Sequence, residues 1–186
     1  MGNLLAITLL LSTQTHTSLG EKIVKHARAQ VGVTLTYNPG YERIPYPMGD
    51  VPKSKGVCTD VVIRALRPLG YDLQALIHND AKKSPSRYPR ISSPDRNIDH
   101  RRCPNQMAFF ARYGATLDFR SVSPERWKPG EIIFWKLPNG RDHVGIVSDQ
   151  RNSLGVPLAI HNIGAGAKEE DCLIAWKVVG RFRFPK

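Results

Sequence analysis

No stretch of this 186-residue chain approaches the roughly 20 consecutive apolar residues of a membrane-spanning helix. The longest apolar run, Leu4 to Leu11, is interrupted by Thr8, so no membrane span is expected. Internal repeats and low-complexity tracts are missing too, which excludes solenoid and disordered classes. A 41% hydrophobic chain with 15 Gly and 14 Pro is composed like one globular domain with a full core. Acidic residues are few, 16 against 27 Lys and Arg, giving a formal charge of +11 that favours anionic partners. Cysteine is scarce and odd in number, with three residues, so in an oxidising compartment at least one thiol stays free or pairs between chains.

The run Leu4 to Leu11 fits the apolar part of a secretory signal over 1–20, with Ser18 and Gly20 as the small residues before a cut preceding Glu21. The extreme N-terminus offers no Lys or Arg, only its own amine, so an ordinary buried N-terminal element is the competing reading. The mature chain is then one domain, 21–186.

Along that domain, Glu21 to Val31 reads as a short helix, because Ile23, Val24, Ala27 and Val31 share one face and Gly32 can stop it. From Cys58 to Leu69, Val61, Val62, Ala65, Leu66 and Leu69 form a second stripe ended by Pro68-Leu69-Gly70, which puts Cys58 at a helix N-terminus. A short helix follows Asp72. Between Ala81 and Arg102 there are seven Lys or Arg against two Asp, without periodicity, so 81–103 reads as a basic inserted surface loop. Pro104 opens another helix, closed by Gly114. Strand patterns then cover Thr116 to Arg120, Glu131 to Leu137, His143 to Asp149, Leu158 to Ile163 and Ile174 to Phe184, with Pro138-Asn139-Gly140 a tight hairpin turn. Helices first and strands afterwards predict an α+β fold, an antiparallel sheet packed on N-terminal helices.

A cysteine at a helix N-terminus has its thiolate stabilised by unpaired amides, and those amides can also hold the oxyanion of a tetrahedral intermediate. Cys58 has that placement, although a small buried packing residue would look the same in sequence. A base and a group that orients it must decide. His143 opens a strand after a hairpin, Gly145 beside it leaves room for a close approach, and His161 lies on the next strand. His16, His26 and His78 read as surface or packing residues.

The order Ile23-Val24, Ala27, Val31-Gly32, Tyr37, then Gly56-Val57-Cys58-Thr59-Asp60, then Lys128-Pro129-Gly130-Glu131-Ile132-Ile133-Phe134-Trp135, His143-Val144-Gly145-Ile146-Val147 and Ile160-His161-Asn162 resembles the papain-like NlpC cell-wall peptidases. The resemblance implies a papain-like fold with Cys58 as nucleophile, His143 as base and His161 as its orienter. More closely, Asp72-Leu73-Gln74, Asp99-His100-Arg101-Arg102 and His161-Asn162-Ile163-Gly164 resemble the bacterial family called domain of unknown function 1287. The chain departs from the NlpC pattern where Thr59-Asp60 replaces Ser-Gly, where the basic insertion lengthens the middle, and where Glu131 replaces Asp. The first two changes bear on substrate specificity.

The cluster Asp99-His100-Arg101-Arg102-Cys103 reads in two ways. Forked guanidiniums can hold a substrate carboxylate or phosphate, or the cluster can be an ion-paired anchor for the insertion. Asp60, Asp99, His100, Arg101, Arg102 and Asn162 are therefore the candidate substrate-binding residues. The lone His100-x-x-Cys103 spacing is a weak zinc signal, and neither a metal nor a cofactor is expected. Cys103 and Cys172 can be a disulfide pair or two buried thiols.

These readings lead to a periplasmic or secreted cysteine hydrolase, a peptidase or amidase, whose partner is a cell-wall peptide or another anionic envelope substrate. The alternative is a non-catalytic envelope module that binds an anionic glycan or peptide. Nucleic acid is not an expected partner, because no recognition helix or aromatic strand platform accompanies the basic insertion.

Overall fold

The computed structural model describes residues 17–120 and 123–186, so Leu4 to Leu11 and His16 lie outside the described residues. In chain order come α1 (Leu19–Arg28), β1 (Thr36–Tyr37), β2 (Lys55–Gly56), α2 (Cys58–Leu66), α3 (Leu73–Lys83), α4 (Cys103–Tyr113), β3 (Ala115–Thr116), β4 (Ile132–Lys136), β5 (Asp142–Arg151), β6 (Pro157–Asn162), β7 (Ala167–Glu170) and β8 (Lys177–Arg183). The fold is α+β. Six strands form an antiparallel sheet in the order β3-β8-β4-β5-β6-β7, and β1 and β2 make a separate two-residue parallel pair. Among the described residues no helix is long and apolar enough to cross a membrane.

The run Ile132-Ile133-Phe134-Trp135 is apolar throughout because β4 is covered on both faces. Ile132 and Phe134 join the main core with Val61, Val62 and Leu66 of α2 and Phe110 of α4. Ile133 and Trp135 point the other way, into a smaller cluster with Trp127, Val147, Ala159 and Leu173. Glu131, buried at the start of β4, is held by Arg181 at 2.7 Å and Arg183 at 2.8 Å, so the acid at this position anchors β8.

Three expectations change. The first helix is shifted toward the N-terminus, from Leu19 to Arg28 instead of Glu21 to Val31, with Ser18 as N-cap and Glu21 closing a capping box, and Gly20 packs so tightly on the Pro129 carbonyl that a Cβ there would lie 2.2 Å from its oxygen. The expected cut before Glu21 would therefore remove the cap and this contact. The expected strand Thr116 to Arg120 shrinks to β3, while β7 appears where no strand was read. The basic insertion is not simply a surface loop: Tyr88, Ile91, Asp99, His100 and Arg101 are buried.

Candidate active site

α2 starts at Cys58 because Val57 is extended and Asp60 reaches back to accept the Val57 N–H at 2.7 Å. Asp60 is also gripped by Arg101, Nε to Oδ1 and Nη2 to Oδ2, each 2.9 Å, with both side chains almost fully buried. Thr59 Oγ1 donates to the Arg101 carbonyl at 2.8 Å, and Gln106 Nε2 donates to the carbonyls of Thr59 and His100. The Thr59-Asp60 pair thus ties the insertion to the tip of the cysteine helix. The Asp60 N–H is taken by the Val57 carbonyl at 3.1 Å, which leaves the amides of Cys58 and Thr59 as the unpaired donors at the positive end of the helix.

β5 and β6 supply the imidazoles. His143 lies opposite Trp135 across the β4–β5 ladder and stacks on its indole, ring centres 5.6 Å apart. Gly145 is required for this packing: a Cβ there would come within 2.9 Å of the Trp135 ring and 3.0 Å of the Ile160 carbonyl. The room it leaves is thus filled by Trp135. Trp135 is fixed by its Nε1–H, which donates to the Leu173 carbonyl at 2.9 Å, and Trp176 meets both histidines edge-on.

His143 Nε2 bonds His161 Nδ1 at 2.9 Å, and His161 Nε2 meets Glu170 Oε2 at 3.1 Å and Cys172 Sγ at 3.2 Å. Burial, and then the nearby His143, depress the His161 pKa to about 4, so this imidazole is neutral at ordinary pH. A neutral His161 that donates from Nε2 to Glu170 must accept at Nδ1 from His143. In that tautomer His143 Nδ1 is left for the Cys58 side.

The Cys58 thiol is pulled well below its ordinary pKa by a hydrogen bond from Cys103, by His143 and by the Val144 amide, all acting against burial. Cys103 Sγ stands 3.7 Å away and is held protonated by burial and by the neighbouring Cys58 charge. Tyr37 also stays protonated, through burial and the charge of the neighbouring Cys58 sulfur. All three cysteines are free, and Cys103 and Cys172 occupy separate places, one beside Cys58 and the other beside His161.

Above this group opens a cleft of about 780 Å³ lined by Cys58, Tyr37, Cys103, Arg90, Arg102 and Arg141 among others. Arg101 reaches the lining but spends its guanidinium on Asp60. Arg102 is more open, bonding the Arg90 carbonyl and lying 3.6 Å from Asp99. Asp60, Asp99, His100 and Asn162, four of the expected substrate contacts, do not line the cleft. Asp99 accepts the Asp95 N–H at 2.6 Å, and burial holds the His100 pKa at about 3. Asn162 Nδ2 donates to the Gly56 carbonyl at 3.1 Å, which steadies the lead-in to Cys58. Among the described residues no group of three or more His, Cys, Asp or Glu side chains is arranged to hold a metal ion.

Sequence reasoning passed over four participants. Glu170 stands in a charged stretch with no strand signal, and Cys103 and Tyr37 come to Cys58 from distant segments. Arg141 could have been found from its place two residues before His143.

Geometry of this kind defines a candidate thiol active site on an α+β fold. The family model described as "Domain of unknown function (DUF1287)" matches residues 24–184, and the chain belongs to that family. It is also 48% identical over 174 residues to the "Uncharacterized protein YijF" of Escherichia coli (strain K12), a match covering 92% of this chain and 83% of the relative.

Proposed function

We propose that this protein is a cysteine hydrolase, a peptidase or amidase of papain-like NlpC type, that cleaves amide bonds in peptidoglycan stem peptides outside the cytoplasm. The observation that carries the reading is the line Cys58, His143, His161 and Glu170, with Cys58 at the floor of an open cleft and its thiol pKa pulled down. The Cys58 thiolate attacks the amide carbonyl carbon, forming an S–C bond and an oxyanion that the first-turn amides of α2 can receive. The intermediate collapses, the C–N bond breaks, and His143 delivers its proton to the departing amine. His143 then takes a proton from water, whose oxygen attacks the thioester and releases the acid and the thiolate. His161 and Glu170 are positioning residues: they hold the His143 ring with Nδ1 toward sulfur.

The cations at the mouth fit an anionic substrate. Among the described residues Arg141 is paired with no carboxylate, whereas Asp142 beside it is ion-paired with Lys136. The formal charge of +11 would retain the protein at an anionic envelope surface. Incubation of purified protein with defined wall fragments, read by product mass beside Cys58→Ala, tests the reading. New amine and carboxyl termini made by the wild type and not by the variant are expected. Tight binding of fragments without cleavage by either form would favour the non-catalytic binding module instead.

A further inference from the structure

Cys103 makes and breaks no bond in the hydrolysis proposed above, yet the fold delivers it to the nucleophile. Cys58 opens α2 and Cys103 opens α4, so two helix tips bring their first residues to the floor of one cleft. The sulfurs are 3.7 Å apart, and both side chains are nearly buried while still lining the cleft. A disulfide needs a separation of about 2.0 Å, so about 1.7 Å of closure is required. We propose that Cys58 and Cys103 form a reversible redox modification site, in which a hydroperoxide oxidises Cys58 and Cys103 converts the product to a Cys58–Cys103 disulfide.

The chemistry divides unequally between the two sulfurs. Cys58 has thiolate character and faces the cleft, so it attacks the terminal oxygen of the hydroperoxide. An S–O bond forms, the O–O bond breaks, and the departing oxygen leaves as hydroxide or alkoxide and takes up a proton. Cys58 is now a sulfenic acid. Cys103, kept protonated by burial and by the Cys58 charge, loses that second restraint once Cys58 is neutral. Its sulfur attacks the Cys58 sulfur, the S–S bond forms, the S–O bond breaks, and the hydroxide combines with the Cys103 proton as water. Two thiols have been oxidised and one hydroperoxide reduced.

The third cysteine does not compete. Cys172 Sγ lies against His161 Nε2 at 3.2 Å, and burial pushes its pKa up to about 12. Bridging consumes the nucleophile of the proposed hydrolase, but the modification itself does not depend on turnover, and its readout is chemical. It stands or falls separately from the hydrolase reading.

The test is stepwise oxidation of the full chain with hydrogen peroxide, followed by intact mass and non-reducing peptide mapping. The expected result is a loss of about 2 Da per chain, a Cys58–Cys103 linked peptide, and return of both thiols with dithiothreitol. In Cys103→Ser the bridge is absent and dimedone labels Cys58, which further peroxide drives to the irreversible sulfinic acid. A vicinal-dithiol probe, phenylarsine oxide, gives a measurement on the unaltered protein and is expected to link Cys58 and Cys103 of one chain. Over-oxidation of Cys58 in the wild type with no bridge, a bridge to Cys172 instead, or failure of the arsenical to link the pair would overturn the proposal.

Discussion

Asp60 separates a structural reading of the insertion from a substrate-binding one. Asp60→Asn keeps the size of the side chain but leaves the Arg101 guanidinium, 2% exposed, without its opposite charge. Removing one partner of a buried pair costs about 3 to 5 kcal/mol, because the remaining charge is stranded away from water. For a domain of this size each kcal/mol moves the melting temperature by about 2 to 4 °C, so a fall of roughly 6 to 20 °C is expected. The variant should also disturb Cys58, since Asp60 caps the helix that presents it. Removing both charges, in Asp60→Asn with Arg101→Met, should recover more than half of the loss, although the Arg101 bonds to the Asn38 and Gly40 carbonyls go with it. Calorimetry on the three variants decides. A single variant of normal stability that uses substrate poorly would refute the anchor and return Asp60 to the substrate.

Three further outcomes follow from the same geometry. His161 has a folded-state pKa depressed to about 4, so the stability tied to its neutral form is complete above pH 6.5 and is lost as pH falls through the folded pKa; over this window it amounts to about 3 kcal/mol at most. In His161→Gln the pH dependence of urea unfolding between pH 7 and 4 should flatten, and an unaltered slope would contradict the assignment. A chain beginning at Glu21 lacks the Ser18 cap and the Gly20 contact, so it should unfold at least about 1 kcal/mol more easily than one beginning at Thr17, as measured by paired denaturation curves. Arg141→Ala should raise KM for anionic wall fragments about tenfold or more while Cys58 keeps its selective alkylation, because a lost charge-assisted hydrogen bond costs about 1.5 to 3 kcal/mol.

The helix tip and the two histidine strands were legible because they follow simple periods. The stripe Val61, Val62, Ala65, Leu66 locates the start of α2, and the alternating faces of β5 and β6 place His143 and His161 side by side. β7 was not legible: Ala167-Lys168-Glu169-Glu170 has three charged residues and no alternation, and it is a strand only because β6 offers it a ladder. The expected strand from Thr116 was lost after two residues. The chain beyond it bends away, with Asp118 taken up by Arg126 at 3.3 Å and by the Arg181 guanidinium through its carbonyl. The insertion looked exposed because its charge is high, yet Arg101 finds Asp60 41 residues earlier, a pairing that no local pattern encodes. Cys103 was weighed as a partner for Cys172, whereas the meeting of two helix tips put it beside Cys58.

The central claim, that Cys58 and His143 act as a nucleophile and base pair, is tested most directly by the pH profile of Cys58 alkylation in the wild type and in His143→Ala. Peptide mass mapping after brief iodoacetamide exposure gives the rate at each pH. Cys58 of the wild type should react well below pH 8.5, roughly the pKa of a free cysteine, ahead of Cys103 and Cys172, and His143→Ala should move its profile to higher pH. Equal labelling of the three thiols, or a profile that His143→Ala leaves in place, would contradict it.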